Sequence, residues 1–533
     1  MKSIRWGATF LVMAAIAMTA PGLAAKTLVY CSEANPESFN PQLNITNTGL
    51  DATSPIFDTL VAFESGGTRI IPALAESWAI SPDGLAYTFN LRRGVKFHSR
   101  PDYAPTREFN ADDVIFSFER QWRADHPFHK ISGTSYNYFN DMSMPSLLKA
   151  VSKLDDHTVR LELTRPEAPL LANLAMGFTA ILSAEYADAL LTRGTPEKLD
   201  QSPLGTGPFQ FVTYQRDVAI RYKAFADHWA GRPPIDNLVF SITLNAAVRL
   251  NKLKAGECHV MAFPAPADLP KMRHDPDLTI LEQEGLNIGY LAFNTNRKPF
   301  DDVRVRRAIN LAVDKKTLVE AVYQDAGQPA KNPIPPAMWS YNDTIEDYAY
   351  DPEQARRLLA EAGYPDGFDT DLWYMPVARP YMPNAKRAAE MILADLEKVG
   401  VRVSMVTDEW TVYRKRVHSG DEHQAALFGW IGDNGDPDNF LYVLLGCEAA
   451  RPSGANIAKW CDKDFNDRLV RAKQSADVAE RTALYREAQT IFKREAPWLP
   501  IAHSKEFLGL RKEVEGFRAD PFGRHLFTGV DLR

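Results

Sequence analysis

Cysteine is scarce: the 533 residues hold four, and no two of them form a C-x-x-C. That argues against a zinc site on the cysteines. Long apolar runs are scarcer still, with one only, at the N-terminus, so a multi-span membrane protein is excluded. Basic blocks are missing and the formal net charge is −7, which argues against nucleic acid as a partner. There is no G-x-S-x-G, no H-E-x-x-H, no Walker loop and no dinucleotide fingerprint. Internal repeats and low-complexity tracts are also missing. The eleven histidines are scattered. His126 and His129 could share a helix face, whereas His418 and His423 could not, and no metal site is expected from either pair.

What is present describes a globular chain. Apolar residues make up 45%, aromatic residues 11% and charged residues 24%. That is ample to offset chain entropy, so disorder is not the dominant state. At about 150 residues per domain the length suggests roughly three to four domains.

The one apolar run reads as an export signal. Lys2 and Arg5 precede the uncharged Gly7–Ala20 stretch, Pro21-Gly22 breaks it, and Leu23-Ala24-Ala25 supplies small residues for cleavage. Cleavage is expected after Ala25, with Ala24 the alternative and an uncleaved membrane anchor the rival reading. Cys31 follows Leu-Val-Tyr, not the small residues of a lipoprotein signal. Loss of residues 1–25 removes two of the 61 basic side chains, leaving 59 against 68 acidic ones, a net of −9. The expected product is soluble, acidic and exported.

In an oxidising compartment the even set Cys31, Cys258, Cys447 and Cys461 suggests two disulfides. Three pairings are possible. Cys447 and Cys461 flank a loop rich in Gly, Pro, Ser and Asn and form the natural local pair, which would leave Cys31 and Cys258 to close a long loop.

Strand and helix patterns alternate, so the class is mixed α/β. Val159, Leu161 and Leu163 share one strand face; Tyr87, Phe89 and Leu91 alternate likewise, as do Val401, Val403 and Met405. Asp314 is placed to cap a helix carrying Leu318, Val319 and Val322. Ala388, Ile392, Leu396 and Val399 form one apolar stripe that Gly400 can end, and Asp351-Pro352 opens a helix that Gly363 closes. Asp433, Asp436 and Asp438 sit in Gly432–Asn439, whose order does not suit a calcium loop. A turn and a ligand contact both remain open there. Trp430, Tyr381, Tyr136 and Tyr138 lie beside turn residues, where aromatics can line a cleft.

Longer motifs point to a family. Ala75-Glu76-Ser77-Trp78, Ser81-Pro82-Asp83-Gly84 and Leu91-Arg92-Arg93-Gly94-Val95-Lys96-Phe97-His98 come first. Asn110-Ala111-Asp112-Asp113-Val114, Gly205-Thr206-Gly207-Pro208-Phe209 and Val305-Arg306-Arg307-Ala308-Ile309 follow. Together they resemble the solute-binding proteins of family 5, the peptide/nickel class of ABC importers. Val29-Tyr30-Cys31-Ser32-Glu33, Thr164-Arg165-Pro166-Glu167-Ala168-Pro169 and Gly429–Phe440 resemble its dipeptide-carrying members. The likeness runs from about Leu28 to the C-terminus.

The resemblance implies a two-lobed periplasmic binding protein (type II, cluster C) of three domains with a two-segment hinge. Domain I would combine 26–57, 206–283 and 504–533, domain II would be 58–205 and domain III 284–503, with crossings near 283 and 503. It implies the bridges Cys31–Cys258 and Cys447–Cys461. It implies that Asp433 holds the amino group of a peptide, that Arg379 with Pro380 and Tyr381 holds its carboxylate, and that main chain around Trp430, Ile431 and Gly432 holds its backbone. Ile431 stands where a similar dipeptide-carrying member has threonine. Ile45 and Thr46 fall in a loop where the family offers a polar contact. No cofactor, metal or catalysis is implied. The implied partners are a dipeptide and the membrane permease subunits, with a chemoreceptor as a further one, and the implied protein is a periplasmic monomer. Longer peptides, haem, 5-aminolevulinate or a metal chelate are the alternative cargoes, and an exported peptidase is the alternative class.

The residue chemistry suits a zwitterion. Burying an ammonium or a carboxylate unpaired costs several kcal/mol, about that order for each group. An aspartate and the planar fork of an arginine satisfy the two ends. One added residue lengthens an extended peptide by about 3.5 Å, so two fixed charges would select length.

Overall fold

A computed structural model describes residues 25–131, 136–420, 422–452 and 454–533. The expected export signal, apart from Ala25, and the Gly/Ser stretch before Tyr136 lie outside the described residues. Local rules set many of the boundaries. Asp314 accepts the Thr317 N–H and starts the helix Lys315–Tyr323, whose Leu318, Val319 and Val322 are buried. Asp351 accepts the Gln354 N–H, and Pro352 fills the first position of the helix Pro352–Glu361. The helix Ala385–Glu397 buries Ala388, Ile392 and Leu396. Beyond it, Gly400 donates to the Glu397 carbonyl and Val401 to that of Leu396, with Gly400 at φ +85°. That pair of hydrogen bonds is the left-handed cap that favours glycine. Gly363, at φ +96°, closes its helix in the same way, through Ala360 and Leu359.

Two sheets carry the molecule. The smaller is an antiparallel sheet of four strands, in the order Ala75–Ile80, Ala86–Leu91, Thr158–Leu163, Leu148–Asp155. Tyr87, Phe89 and Leu91 and the facing Val159, Leu161 and Leu163 turn to its buried side. The larger sheet has twelve strands. Its centre is one long strand, Trp498–Arg511. From Lys505 onward that strand pairs with Leu278–Glu284 and Val260–Ala262, which leads on to Thr27–Ser32 and Asn237–Ile242. Up to Ser504 it pairs with Asn287–Phe293 and Gly327–Pro329, and Asn287–Phe293 leads on to Ala425–Ile431, Asp369–Trp373 and Arg402–Val406. The sheet thus has two halves, one for each lobe, and two chain segments join them side by side. Both disulfides are formed, Cys31–Cys258 and Cys447–Cys461. Among the described residues no helix is long and apolar enough to cross a membrane.

One local expectation is corrected. His126 and His129 share no helix face, because the helix Ala111–Trp122 has ended before them and they sit in a turn. His126 accepts the Phe128 N–H at 3.2 Å and His129 contacts the Arg120 carbonyl at 2.9 Å.

Candidate ligand-binding site

Between the lobes lies a cavity of about 1140 Å³. Ile45, Thr46, Arg379, Pro380, Tyr381, Trp430, Ile431, Gly432 and Asp433 all line it.

The second lobe supplies most of these. The strands Asp369–Trp373 and Ala425–Ile431 run parallel, paired at Leu372–Ala425 and Trp373–Ala426. Arg379 follows the carboxyl end of the first and Asp433 that of the second, the usual site for ligands in sheets of this kind. Beyond Ala426 the strand Ala425–Ile431 keeps its partner Asn287–Phe293 but, among the described residues, has no strand on its other side. The stretch Gly429–Ile431 therefore borders the cavity as a sheet edge, to which an extended peptide can add.

Arg379 opens a tight turn. Its N–H donates to the Met382 carbonyl at 3.1 Å, and the Met382 N–H returns the bond at 2.9 Å. Pro380 presets the turn. Tyr323 donates its hydroxyl to the Tyr381 carbonyl at 2.6 Å. The turn lies across two glycines that face each other on adjacent strands, Gly289 and Gly429. A Cβ at Gly429 would stand 2.1 Å from Tyr381 Cδ2, and one at Gly289 would stand 2.2 Å from the Tyr381 oxygen. Only a flat floor admits the turn. The Arg379 guanidinium lies 5.4 Å from the ring centre of Trp410, and that of Arg414 lies 5.8 Å from the same ring. Trp410 is itself stacked on Phe428, with ring centres 5.9 Å apart.

The segment Gly432–Asn439 is a turn and also reaches the cavity. Asn434 Oδ1 accepts the Asp436 N–H, and Asp436 Oδ1 accepts the Asp438 N–H, both at 3.0 Å. Asp436 is buried against Arg481, 2.7 Å away. Of the three aspartates only Asp433 lines the cavity. Asn439 holds it in place: Asn439 Oδ1 accepts the Asp433 N–H and the Trp430 indole N–H, both at 2.9 Å, and Asn439 Nδ2 donates to Asp433 Oδ2 at 3.1 Å. From the opposite lobe the Tyr138 hydroxyl donates to Asp433 Oδ1 at 2.8 Å. Burial pushes the Asp433 carboxyl up to about 6; the bonds from Tyr138 and Asn439 hold it down, and nearby Asp141 adds to the rise. Among the described residues neither Asp433 nor Arg379 has an oppositely charged side chain within 4 Å.

The first lobe contributes the facing wall. Thr46 caps the helix Asn47–Thr53 by accepting the Gly49 N–H at 3.3 Å, so part of its bonding capacity is structural. Glu33, Glu37 and Asp141 also line the cavity, and burial raises all three carboxyls. Arg249 and Phe263 complete this side. Among these, sequence reasoning singled out Tyr138 only as an aromatic beside a turn, and it missed Glu37, Asp141, Trp410, Arg414 and Asn439. Asn439 lay inside the quoted Gly429–Phe440 motif, where a buried amide six residues past the aspartate was the available signal.

The pattern for bacterial extracellular solute-binding proteins, family 5 Middle, matches residues 69–451. The chain is 54% identical to the dipeptide-binding protein of Escherichia coli (strain K12), over 97% of each chain. It is 52% identical to heme-binding protein A of Haemophilus influenzae, over 95% of this chain and 92% of the relative. A crystal structure of the dipeptide-binding protein from Pseudoalteromonas sp. SM9913 in complex with Met-Leu superposes with a TM-score of 0.86 at 39% identity, covering 95% of this chain and all of that one.

Proposed function

The chain belongs to the bacterial extracellular solute-binding proteins of family 5, and from that premise we propose that it captures dipeptides in the periplasm and delivers them to the permease of an ABC importer. The observation that carries this reading is the pair Asp433 and Arg379, both without counter-charge among the described residues and both following the ends of adjacent strands of one lobe. The free dipeptide supplies the missing ammonium and carboxylate. Because both anchors ride on one rigid sheet, their separation does not change as the lobes move.

Closure follows from the shape of the cavity. A ligand that touches both lobes stabilises the closed form by its extra contacts there. The hinge is the pair of segments near 283 and 503, dividing the chain into domain I (26–57, 206–283, 504–533), domain II (58–205) and domain III (284–503). Asn287 supports it: its side chain donates to the Ser504 carbonyl at 2.9 Å and accepts the Ser504 N–H at 2.8 Å. The cavity, about 1140 Å³, exceeds the common ligand pocket of about 300–1,000 Å³ and leaves room for varied side chains with water around them. Export requires removal of the leader near Ala25. No covalent step enters the cycle.

A calorimetric titration of the unfolded and refolded mature protein tests the proposal. A simple dipeptide is expected to bind one-to-one and tightly, and the matching tripeptide much more weakly. Equal or better tripeptide binding overturns the length selection, and no heat from either overturns the peptide reading. Haem is the second reading, supported by the 52% identical relative named for haem and by the size of the cavity. A Soret band that shifts on mixing is its signature.

A further inference from the structure

The motif Thr164-Arg165-Pro166-Glu167-Ala168-Pro169 takes no part in the cavity, yet it reaches across the molecule. It follows the strand Thr158–Leu163 of the small sheet. The Ala168 N–H donates to the Lys473 carbonyl at 2.6 Å, at the end of the helix Lys463–Gln474 of the other lobe. The Lys473 ammonium lies 3.1 Å from Glu167 Oε1 and 3.4 Å from Asp438 Oδ2. It also sits 4.0 Å from the centre of the Tyr442 ring. Glu167, Lys473 and Asp438 are 2%, 8% and 5% exposed, so all three charges are withdrawn from water. None of them lines the cavity.

We propose that the Glu167 loop is an interlobe latch, closing on Lys473 and Asp438, and that it sets how readily the two lobes shut whatever ligand they carry. The chemistry is that of a shared cation. Within the second lobe Lys473 can satisfy Asp438 alone. On closure it must serve Glu167 as well, and Glu167 Oε2 and Asp438 Oδ1 stay buried without a hydrogen-bond partner among the described residues. Buried charge attraction is therefore offset by desolvation, and the latch holds without locking. A latch stronger than this would hold the cargo against the permease.

Its position also ties it to the ligand anchor. Asp438 begins the helix Asp438–Leu445 directly after the Asp433 turn, and Asp436 of that turn pairs with Arg481 behind it. Asn434 Nδ2 donates to Asn173 Oδ1 of the first lobe at 2.6 Å. One turn thus presents Asp433 to the cavity and Asp438 to the latch. Part of the cost of closing is met away from the ligand, which raises the binding-competent fraction and so the apparent affinity.

The test is scattering first and binding second, on the full mature chain. Glu167→Ala removes the latch side chain and leaves Lys473 paired with Asp438, so the second lobe keeps its charge balance. The ligand-free variant is expected to show a larger radius of gyration by small-angle X-ray scattering than the parent protein. Its dissociation constant for Ala-Ala is expected to rise at least fivefold, through faster release. Lys473→Ala should act in the same direction and Lys473→Arg should largely restore the parent behaviour; thermal unfolding shows that each variant is folded. Unchanged scattering in Glu167→Ala overturns the latch, whether or not affinity falls. The scattering needs no ligand, so a failure of the dipeptide reading leaves this result interpretable.

Discussion

Asp433 accepts one hydrogen bond at each carboxylate oxygen, from Tyr138 and from Asn439, and still has burial pushing its carboxyl up to about 6. A ligand ammonium beside it favours the ionised form and pulls that value down, so binding near pH 6 releases a proton. Affinity should hold above pH 7 and weaken as pH falls through about 6, by up to about tenfold per unit at the steepest. Calorimetry in buffers of different ionisation heat reads the released proton directly. Asp433→Ala is expected to weaken a dipeptide at least tenfold, since a charge-assisted bond is worth about 1.5–3 kcal/mol, with little change in unfolding temperature. A dipeptide acetylated at its N-terminus should show the same loss against the parent protein. Asp433 was reached through the long Gly429–Phe440 motif and Arg379 through the family resemblance alone, and both line the cavity. Tyr138 was legible only as an aromatic that can line a cleft; its bond to Asp433 was not, since the two are 295 residues apart and nothing local marks the pair.

Among the elements, the strand Ala425–Ile431 is shaped as much by what it omits as by what it carries. Gly429→Ala should disturb the Arg379 turn by forcing Tyr381 aside, because a Cβ there has 2.1 Å of room. The expected result is a weaker grip on the peptide carboxylate together with an unfolding temperature several degrees lower, read by titration and calorimetric scanning. Asn439→Ala should loosen Trp430 and Asp433 at once, since it leaves the half-buried indole N–H and a backbone N–H without their acceptor. The helix starts at Asp314 and Asp351, and the helix ends at Gly363 and, for Ala385–Glu397, at Gly400, were readable from capping chemistry, which is local. The stripe Val159, Leu161 and Leu163 was readable for the same reason: period-two burial is a property of one strand. The order of strands in the large sheet was not, because pairing joins residues hundreds apart and leaves no local signature. The segment Gly432–Asn439 is a turn that also borders the cavity. Asn434 and Asp436 build the turn, and Asp433 borders the cavity.

For the molecule as a whole, the two crossing segments touch at Gly285 and Ser504, where the Gly285 N–H donates to the Ser504 carbonyl at 3.2 Å. A Cβ on Gly285 would stand 2.6 Å from that oxygen and 2.3 Å from Asn287 Nδ2. Gly285→Ala should therefore alter the ligand-induced fall in radius of gyration while each lobe stays folded, which scattering with and without dipeptide would register. Family motifs made the two-lobed architecture legible. Length and local patterning showed only a mixed α/β chain of several domains, because the lobes are interleaved: the chain leaves the first half of the large sheet near Glu284 and returns to it near Lys505. The two disulfides, spanning 227 and 14 positions, differ in what they restrain, and loop entropy assigns them about 5 and about 3 kcal/mol. Their order along the chain has a consequence for biogenesis. The first thiol bonds the second and the third bonds the fourth, so a polypeptide emerging N-terminus first always meets its native partner as the next thiol to arrive. Oxidation in order of appearance yields the correct pairing with nothing to reshuffle, and maturation should need an oxidase but no isomerase.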